Sequence, residues 1–226
     1  VAYLGPPATY THQAAIQQFG RMADLRPSPT TDAIFAMVES GQAEFGVVPI
    51  ENSNEGVVSH TLDLFVESPL TIAAEIHVPI HHDLLSKQGE LRAIRAVYSH
   101  PQALAQCRAW LDLNLPDVPQ QGTHSTAQAA ELAARSDEIG AIASPVAAEL
   151  YGLRVVSVGI EDHADNATRF VVVARDGIPA PSGHDKTSIV VFQRADRPGS
   201  LLAILQEFAA RSINLSLLLS RPTKTS

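Results

Sequence analysis

The sequence predicts an α/β protein, and two observations predict it. From the start of the chain to about Asp176, short β-branched runs alternate with alanine-rich amphipathic stretches. At the junctions, serine, threonine or proline repeatedly marks a helix start, so strand ends and helix starts recur in pairs. Val1 to Leu4 reads as the first strand, and Gly5-Pro6-Pro7-Ala8-Thr9-Tyr10-Thr11 joins it to a helix beginning near Thr11. Thr31 is a candidate start for the helix Asp32 to Glu39. The run Val47-Val48-Pro49-Ile50-Glu51-Asn52-Ser53-Asn54-Glu55-Gly56 follows a strand and is crowded with polar groups. Val97-Tyr98-Ser99 ends an apolar run, and His100-Pro101-Gln102 opens the helix Ala103 to Leu111 with Ser99 as cap. Ser125-Thr126-Ala127-Gln128 reads as a capping box before the next helix. The strand Ile139 to Ala143 passes through Ser144-Pro145 into a helix closed at Gly152, where glycine adopts the left-handed conformation. The strand Val171 to Ala174 completes this region.

Residues 178–185, rich in proline, glycine and serine, have linker character and mark a domain boundary after a first domain of residues 1–177. Residues 186–226 then give the strand Lys186 to Phe192, the turn Asp196-Arg197-Pro198-Gly199, the helix Ser200 to Arg211 and the strand Ile213 to Leu219. A unit of about forty residues buries too little alone, so it is expected to lean on the first domain, another subunit or further sequence.

The 226 residues carry a net charge of −8 without a basic cluster, which argues against a nucleic-acid partner. An acidic metabolite remains compatible, since it needs only local cations and helix N-termini. No apolar run is long enough to span a bilayer, and no secretory leader is visible, so neither a membrane partner nor export is expected. A single cysteine, Cys107, excludes an intrachain disulfide and fits the cytoplasm; its apolar helical setting reads as a buried structural thiol.

Asn166-Ala167-Thr168-Arg169-Phe170 sets a hydroxyl and a planar cation at a strand mouth, a pair suited to a small acid but equally readable as a solvated strand edge. Asn52 to Gly56 is readable either as a functional loop or as a turn. Among nine histidines, His81-His82-Asp83 is the densest cluster, yet neighbours on a strand point to opposite faces and no metal-binding spacing appears. Glycine-rich phosphate loops and a nucleophile elbow are absent, and no metal or cofactor is expected.

Four ordered blocks, YLGPPATYT from Tyr3, VPIENSNEG from Val48, YSHPQALAQC from Tyr98 and NATRF from Asn166, resemble prephenate dehydratase. DRPGSLLAIL from Asp196, Ile213 to Leu215 and Leu219 to Pro222 resemble one β-α-β unit of the ACT regulatory domain that follows it. Ala8 stands where the family usually has glycine, Tyr10 where phenylalanine is common, and Leu219 where glutamate is frequent.

The resemblance implies a two-lobed fold like periplasmic solute-binding proteins, with a partial ferredoxin-like ACT domain. Lobe one would hold residues up to about Ile76 and from about Ile160, and lobe two roughly Val78 to Ser157. It implies conversion of prephenate to phenylpyruvate, with arogenate as an alternative substrate; a non-catalytic binding module for an aromatic or dicarboxylic metabolite is the alternative from another class. Thr168 would donate to the leaving hydroxyl through a relay with Asn52 and Ser53, organised by Glu51. Arg169 would anchor a carboxylate, Phe170 would exclude water, and Thr9, Ser99, Gln106, Ser125 and Thr126 would complete the anion site. Phenylalanine would act as effector through Gly199, Ser200, Leu201, Leu202, Asn214, Leu215, Ser220, Arg221 and Pro222, in a homodimer or homotetramer.

Overall fold

The computed structural model describes residues 1–176, 180–192 and 197–220. The chain divides into two units, Val1–Pro181 and Ser182–Ser226.

The first unit holds two sheets. One is built from β1 (Ala2–Leu4), β2 (Arg26–Ser28), β3 (Phe45–Asn52), β4 (Gly56–Val57), β5 (Thr71–Pro79) and, far along the chain, β11 (Ala167–Ala174). Its order is β2-β1-β3-β11-β5, with β4 hairpinned onto the end of β3. β1 is parallel to its neighbours, and β11 runs antiparallel to both β3 and β5.

Alternation along β11 explains how one strand feeds two cores. Phe170 and Val172 pack with Tyr3, Val47 and α1 (Tyr10–Phe19) on one face, whereas Val171 and Val173 pack with Ile34, Val38 and α2 (Thr31–Glu39) on the other. The helix α3 (Ser59–Glu67) adds Leu62, Leu64 and Phe65 to that second core. Gly46 lies where α2 crosses the sheet, and a Cβ there would stand 2.5 Å from Ile34 and 2.8 Å from Val173. Gly46→Ala should therefore cost about 1–3 kcal/mol through overpacking. Urea titration reads this directly, and an unchanged midpoint would contradict the close packing.

The other sheet has the order β10-β6-β9-β7-β8, from β6 (Asp83–Ser86), β7 (Ala96–Ser99), β8 (Gln120–Gly122), β9 (Ile139–Ala143) and β10 (Arg154–Ser157). On one face, α6 (Thr126–Ala134) and α7 (Pro145–Tyr151) bury an alanine-rich cluster that includes Ala127, Ala130, Ala133 and Ala147. On the other, α4 (Pro101–Gln106) and α5 (Arg108–Asn114) cover Leu84, Val97, Ile142 and Ile160.

The two-lobed α/β architecture is the one the resemblance implies, with the chain crossing between sheets twice. Val78 and Pro79, expected to open lobe two, still pair with Thr168 and Ala167 in the first sheet. Ile160, expected on the return, packs in the second lobe's core. Strands β5 and β11 bracket the two crossings and pair with each other from Ala167↔Pro79 to Ala174↔Thr71.

Two local expectations change. Ser99 does not cap α4: its hydroxyl is fully buried and donates to Ile142 O at 2.6 Å, and His100 takes the cap position. The expected helix Ala103 to Leu111 is two helices meeting at Cys107. The cause lies in the returning chain, where Asp162 N donates to Gln106 O and the Asp162 carboxylate accepts from Ala109 N, replacing the helical partners of both groups.

A loop of the first lobe is embedded in the second. Ala8, with φ of 70°, is fully buried among Leu85, Ala127, Ala143 and Ala147, and its carbonyl accepts from Ser144 Oγ at 3.1 Å. The left-handed backbone at this position explains why glycine suits it, and Ala8 carries a strain of about 1–2 kcal/mol that its buried methyl offsets in part.

In the second unit the helix is α8 (Ser200–Ala209), begun at Gly199 with φ of 89°. The strands expected at Lys186 to Phe192 and Ile213 to Leu219 do not form: neither segment is in a strand among the described residues, and Ile189 to Phe192 are half exposed. In a split β-α-β arrangement the first two strands are separated by a third, so they cannot pair with each other. No helix among the described residues is long and apolar enough to cross a membrane.

Candidate functional site

Between the lobes of the first unit lies a cavity of about 300 Å³. The start of α1 contributes Thr9, Tyr10 and Thr11; the ends of β3 and β11 contribute Asn52, Asn166, Thr168 and Phe170; the first crossing contributes Ile80 and His82. Lobe two contributes His100, Gln102 and Gln106 from α4, and His124, Ser125 and Thr126 from the start of α6.

Asn52 organises the wall on the first lobe. Its Oδ1 accepts from the backbone N–H of Asn54 at 3.0 Å and of Glu55 at 3.2 Å. Those two fixed donors leave Nδ2 no choice but to face the other way, where it donates to Thr168 Oγ1 at 2.8 Å and Asn166 Oδ1 at 2.9 Å. The Thr168 hydroxyl accepts this bond and donates none to the described residues, so its proton is free to serve a ligand in the cavity. A bulge between Arg169 and Phe170 in the β11–β3 ladder lies beside this point.

The same logic runs on across the lobes. Asn166 Oδ1 also accepts from Ser53 Oγ at 3.2 Å, so its Nδ2 faces Gln106 Oε1 at 3.4 Å. Gln106 Oε1 lies 2.8 Å from His82 Nε2, and His82 Nδ1 lies 2.9 Å from the Tyr10 hydroxyl, which also donates to His81 O at 2.6 Å. Burial lowers the pKa of His82 and raises that of Tyr10 well above its usual value. Amides and a ring thus link both crossings to Thr168.

Of the residues expected at the site, Thr9, Asn52, Gln106, Ser125, Thr126, Thr168 and Phe170 line the cavity. Ser53 lies just behind it, accepting from Ala167 N at 2.9 Å. Arg169 and Glu51 do not line it. Strand alternation turns Arg169 to the opposite face from Thr168, where Nη1 binds Glu51 Oε2 at 3.0 Å and Nε lies 3.2 Å from Glu75 Oε1. Ser99, engaged with Ile142, does not reach the cavity either. In the second unit, Gly199 to Leu202 form the start of α8, while Asn214, Leu215 and Ser220 lie in irregular chain; Arg221 and Pro222 fall outside the described residues.

Sequence reasoning gave no role to Tyr10, His82 or Asn166. The signal for His82 was the adjacent pair His81-His82, of which strand-like alternation must bury one; His82 is 3% exposed.

The described cavity lining contains no lysine or arginine. Its capacity for anions rests on the first-turn amides of α1 and α6, which have no intrahelical acceptors, on the hydroxyls of Thr9, Thr11, Ser125 and Thr126, and on three histidines. This combination suits a small polyanionic organic acid with a hydroxyl presented to Thr168.

Comparison with known proteins agrees. The prephenate dehydratase family model matches residues 1–178. The bifunctional chorismate mutase/prephenate dehydratase of Aquifex aeolicus is 48% identical over 99% of this chain, which spans 61% of that relative's length. The prephenate dehydratase of Amycolatopsis methanolica is 40% identical over 99% of this chain and 74% of its own. A crystal structure of prephenate dehydratase from Arthrobacter aurescens in complex with L-Phe superposes with a TM-score of 0.90 at 39% identity, covering 98% of this chain and 76% of that one. The chain belongs to the prephenate dehydratase family.

Proposed function

We propose that the chain converts prephenate to phenylpyruvate in the cytoplasmic synthesis of phenylalanine, with the interlobe cavity as active site. The ring carboxylate leaves as carbon dioxide, and its bonding pair enters the ring. The carbon–oxygen bond on the opposite side breaks, and the hydroxyl departs with a proton as water. The observation that carries this reading is Thr168, which lines the cavity, is fixed by the bond it accepts from Asn52 and keeps its proton for the leaving hydroxyl. The first-turn amides of α1 and α6 hold the carboxylates from opposite walls. Phe170, Val58 and Ile80 keep water from the carboxylate that is lost.

Phenylalanine would regulate the enzyme, a reading supported by the L-Phe bound to the Arthrobacter relative, and the ACT resemblance points to the second unit as its site. Incubation with prephenate and, separately, arogenate should yield phenylpyruvate from the first. Binding without product would identify a binding module instead, and phenylalanine as the product from arogenate alone would reassign the substrate.

A further inference from the structure

The chain of contacts at His82 contains more acceptors than a neutral imidazole can satisfy. Backbone donors orient Asn52, and the side chains of Asn52 and Ser53 in turn orient Asn166, so Gln106 Oε1 is an acceptor and His82 Nε2, 2.8 Å away, must carry a proton. If the ring carries only that proton, the single Tyr10 proton faces both His81 O and His82 Nδ1. If the proton sits on Nδ1 instead, Nε2 meets the Gln106 oxygen lone pair to lone pair. The imidazolium alone gives every contact a proton: Nε2–H to Gln106, Nδ1–H to Tyr10, and Tyr10 O–H to His81 O.

We infer that His82 takes up a proton when a dianionic ligand enters the cavity, supplying the positive charge that the cavity wall otherwise lacks. The dianion is taken from the proposed function. The contacts are thus arranged in advance for the imidazolium, while in the empty protein burial opposes the charge and lowers the His82 pKa, so the ligand's charge is what completes the protonation. The titratable groups around the ring are Tyr10 on α1, His81 and Asp83 on either side in sequence, Glu161 on the returning chain and Cys107 at the end of α4; Glu55, His100 and His124 share the cavity. Burial raises Tyr10 and Cys107, so both stay neutral. Burial would also raise Glu161, but the His81 ring and the His82 N–H hold its pKa down, leaving a carboxylate beside the new cation. Burial raises Asp83, which accepts from Gly159 N at 2.9 Å.

Steady-state kinetics with prephenate between pH 6 and 9 test the idea. kcat/KM, which reports the free protein, should fall about tenfold per unit as pH rises through neutrality, while kcat stays level to higher pH. His82→Gln, which keeps an amide donor toward Gln106 but cannot titrate, should flatten the kcat/KM profile. A wild-type profile that is already level, or an unaltered fall in His82→Gln, overturns the inference even if turnover establishes the function. Calorimetry of prephenate binding to Thr168→Ala, in two buffers of different ionisation enthalpy at pH 7.5, gives a second reading that keeps His82. About one proton taken up per site is expected. Measurable binding with no proton uptake defeats the inference alone, whereas absence of both binding and turnover defeats it together with the proposed function.

Discussion

Thr168→Ala should lower turnover of prephenate by about 10²–10⁴-fold while changing KM by no more than a few-fold. The proton that this hydroxyl offers is needed only as the carbon–oxygen bond breaks, so its loss belongs to the transition state rather than to binding. The fold should tolerate the change. Asn52 Nδ2 retains Asn166 Oδ1 at 2.9 Å and Ala167 O at 3.3 Å as acceptors, which limits the stability loss to about 1 kcal/mol. Thr168→Ser keeps the hydroxyl and should restore most of the rate. Phenylpyruvate formation followed against substrate concentration separates the parameters; equal, small losses in kcat and affinity would remove Thr168 from the chemistry.

Arg169→Met should act on stability instead. Its guanidinium sits between Glu51 and Glu75 on the face turned away from the cavity, with 19% of the side chain exposed. Without it, two carboxylates on the strands either side of β11 lose their shared cation, and His77, 2.5 Å from Glu75, meets only one of them. A buried pair broken on one side costs about 3–5 kcal/mol; partial exposure reduces the expectation here to about 2 kcal/mol. The urea midpoint should drop accordingly while KM for prephenate moves little. A KM raised a hundredfold at unchanged stability would return Arg169 to the role of carboxylate anchor.

The contrast between these neighbours shows what the sequence could and could not disclose. The strand carrying them was legible from its β-branched run, and alternation already implies that Thr168 and Phe170 share a side that Arg169 does not. A guanidinium beside a hydroxyl suits a carboxylate by residue type, but alternation places the two on opposite sides of the strand. Asn52 and the start of α6 were legible because capping and loop residues keep their local signatures, whereas Gln106, at the end of α4, came only from the family resemblance. The roles of His82 and Asn166 were not legible, since each depends on partners about sixty or more positions away or on the opposite lobe. Ser99 failed as a cap for a related reason: its side chain is engaged with the buried carbonyl of Ile142, and His100 holds the cap position. The second unit kept its helix and lost its strands, because a helix closes its hydrogen bonds locally and a strand cannot.

The embedding of Ala8 in the second lobe also bears on the order in which the chain can be assembled. Ala8 and its partner Ser144 are separated by 136 positions. At translation speeds of about 5–20 residues per second, the N-terminal loop waits roughly ten seconds for its socket to be synthesised. The alanine core around α6 and α7 cannot close until a segment made long before arrives to complete it. Refolding of the first unit should therefore be governed by this long-range closure, and a nascent chain stalled before α7 would hold its opening loop undocked.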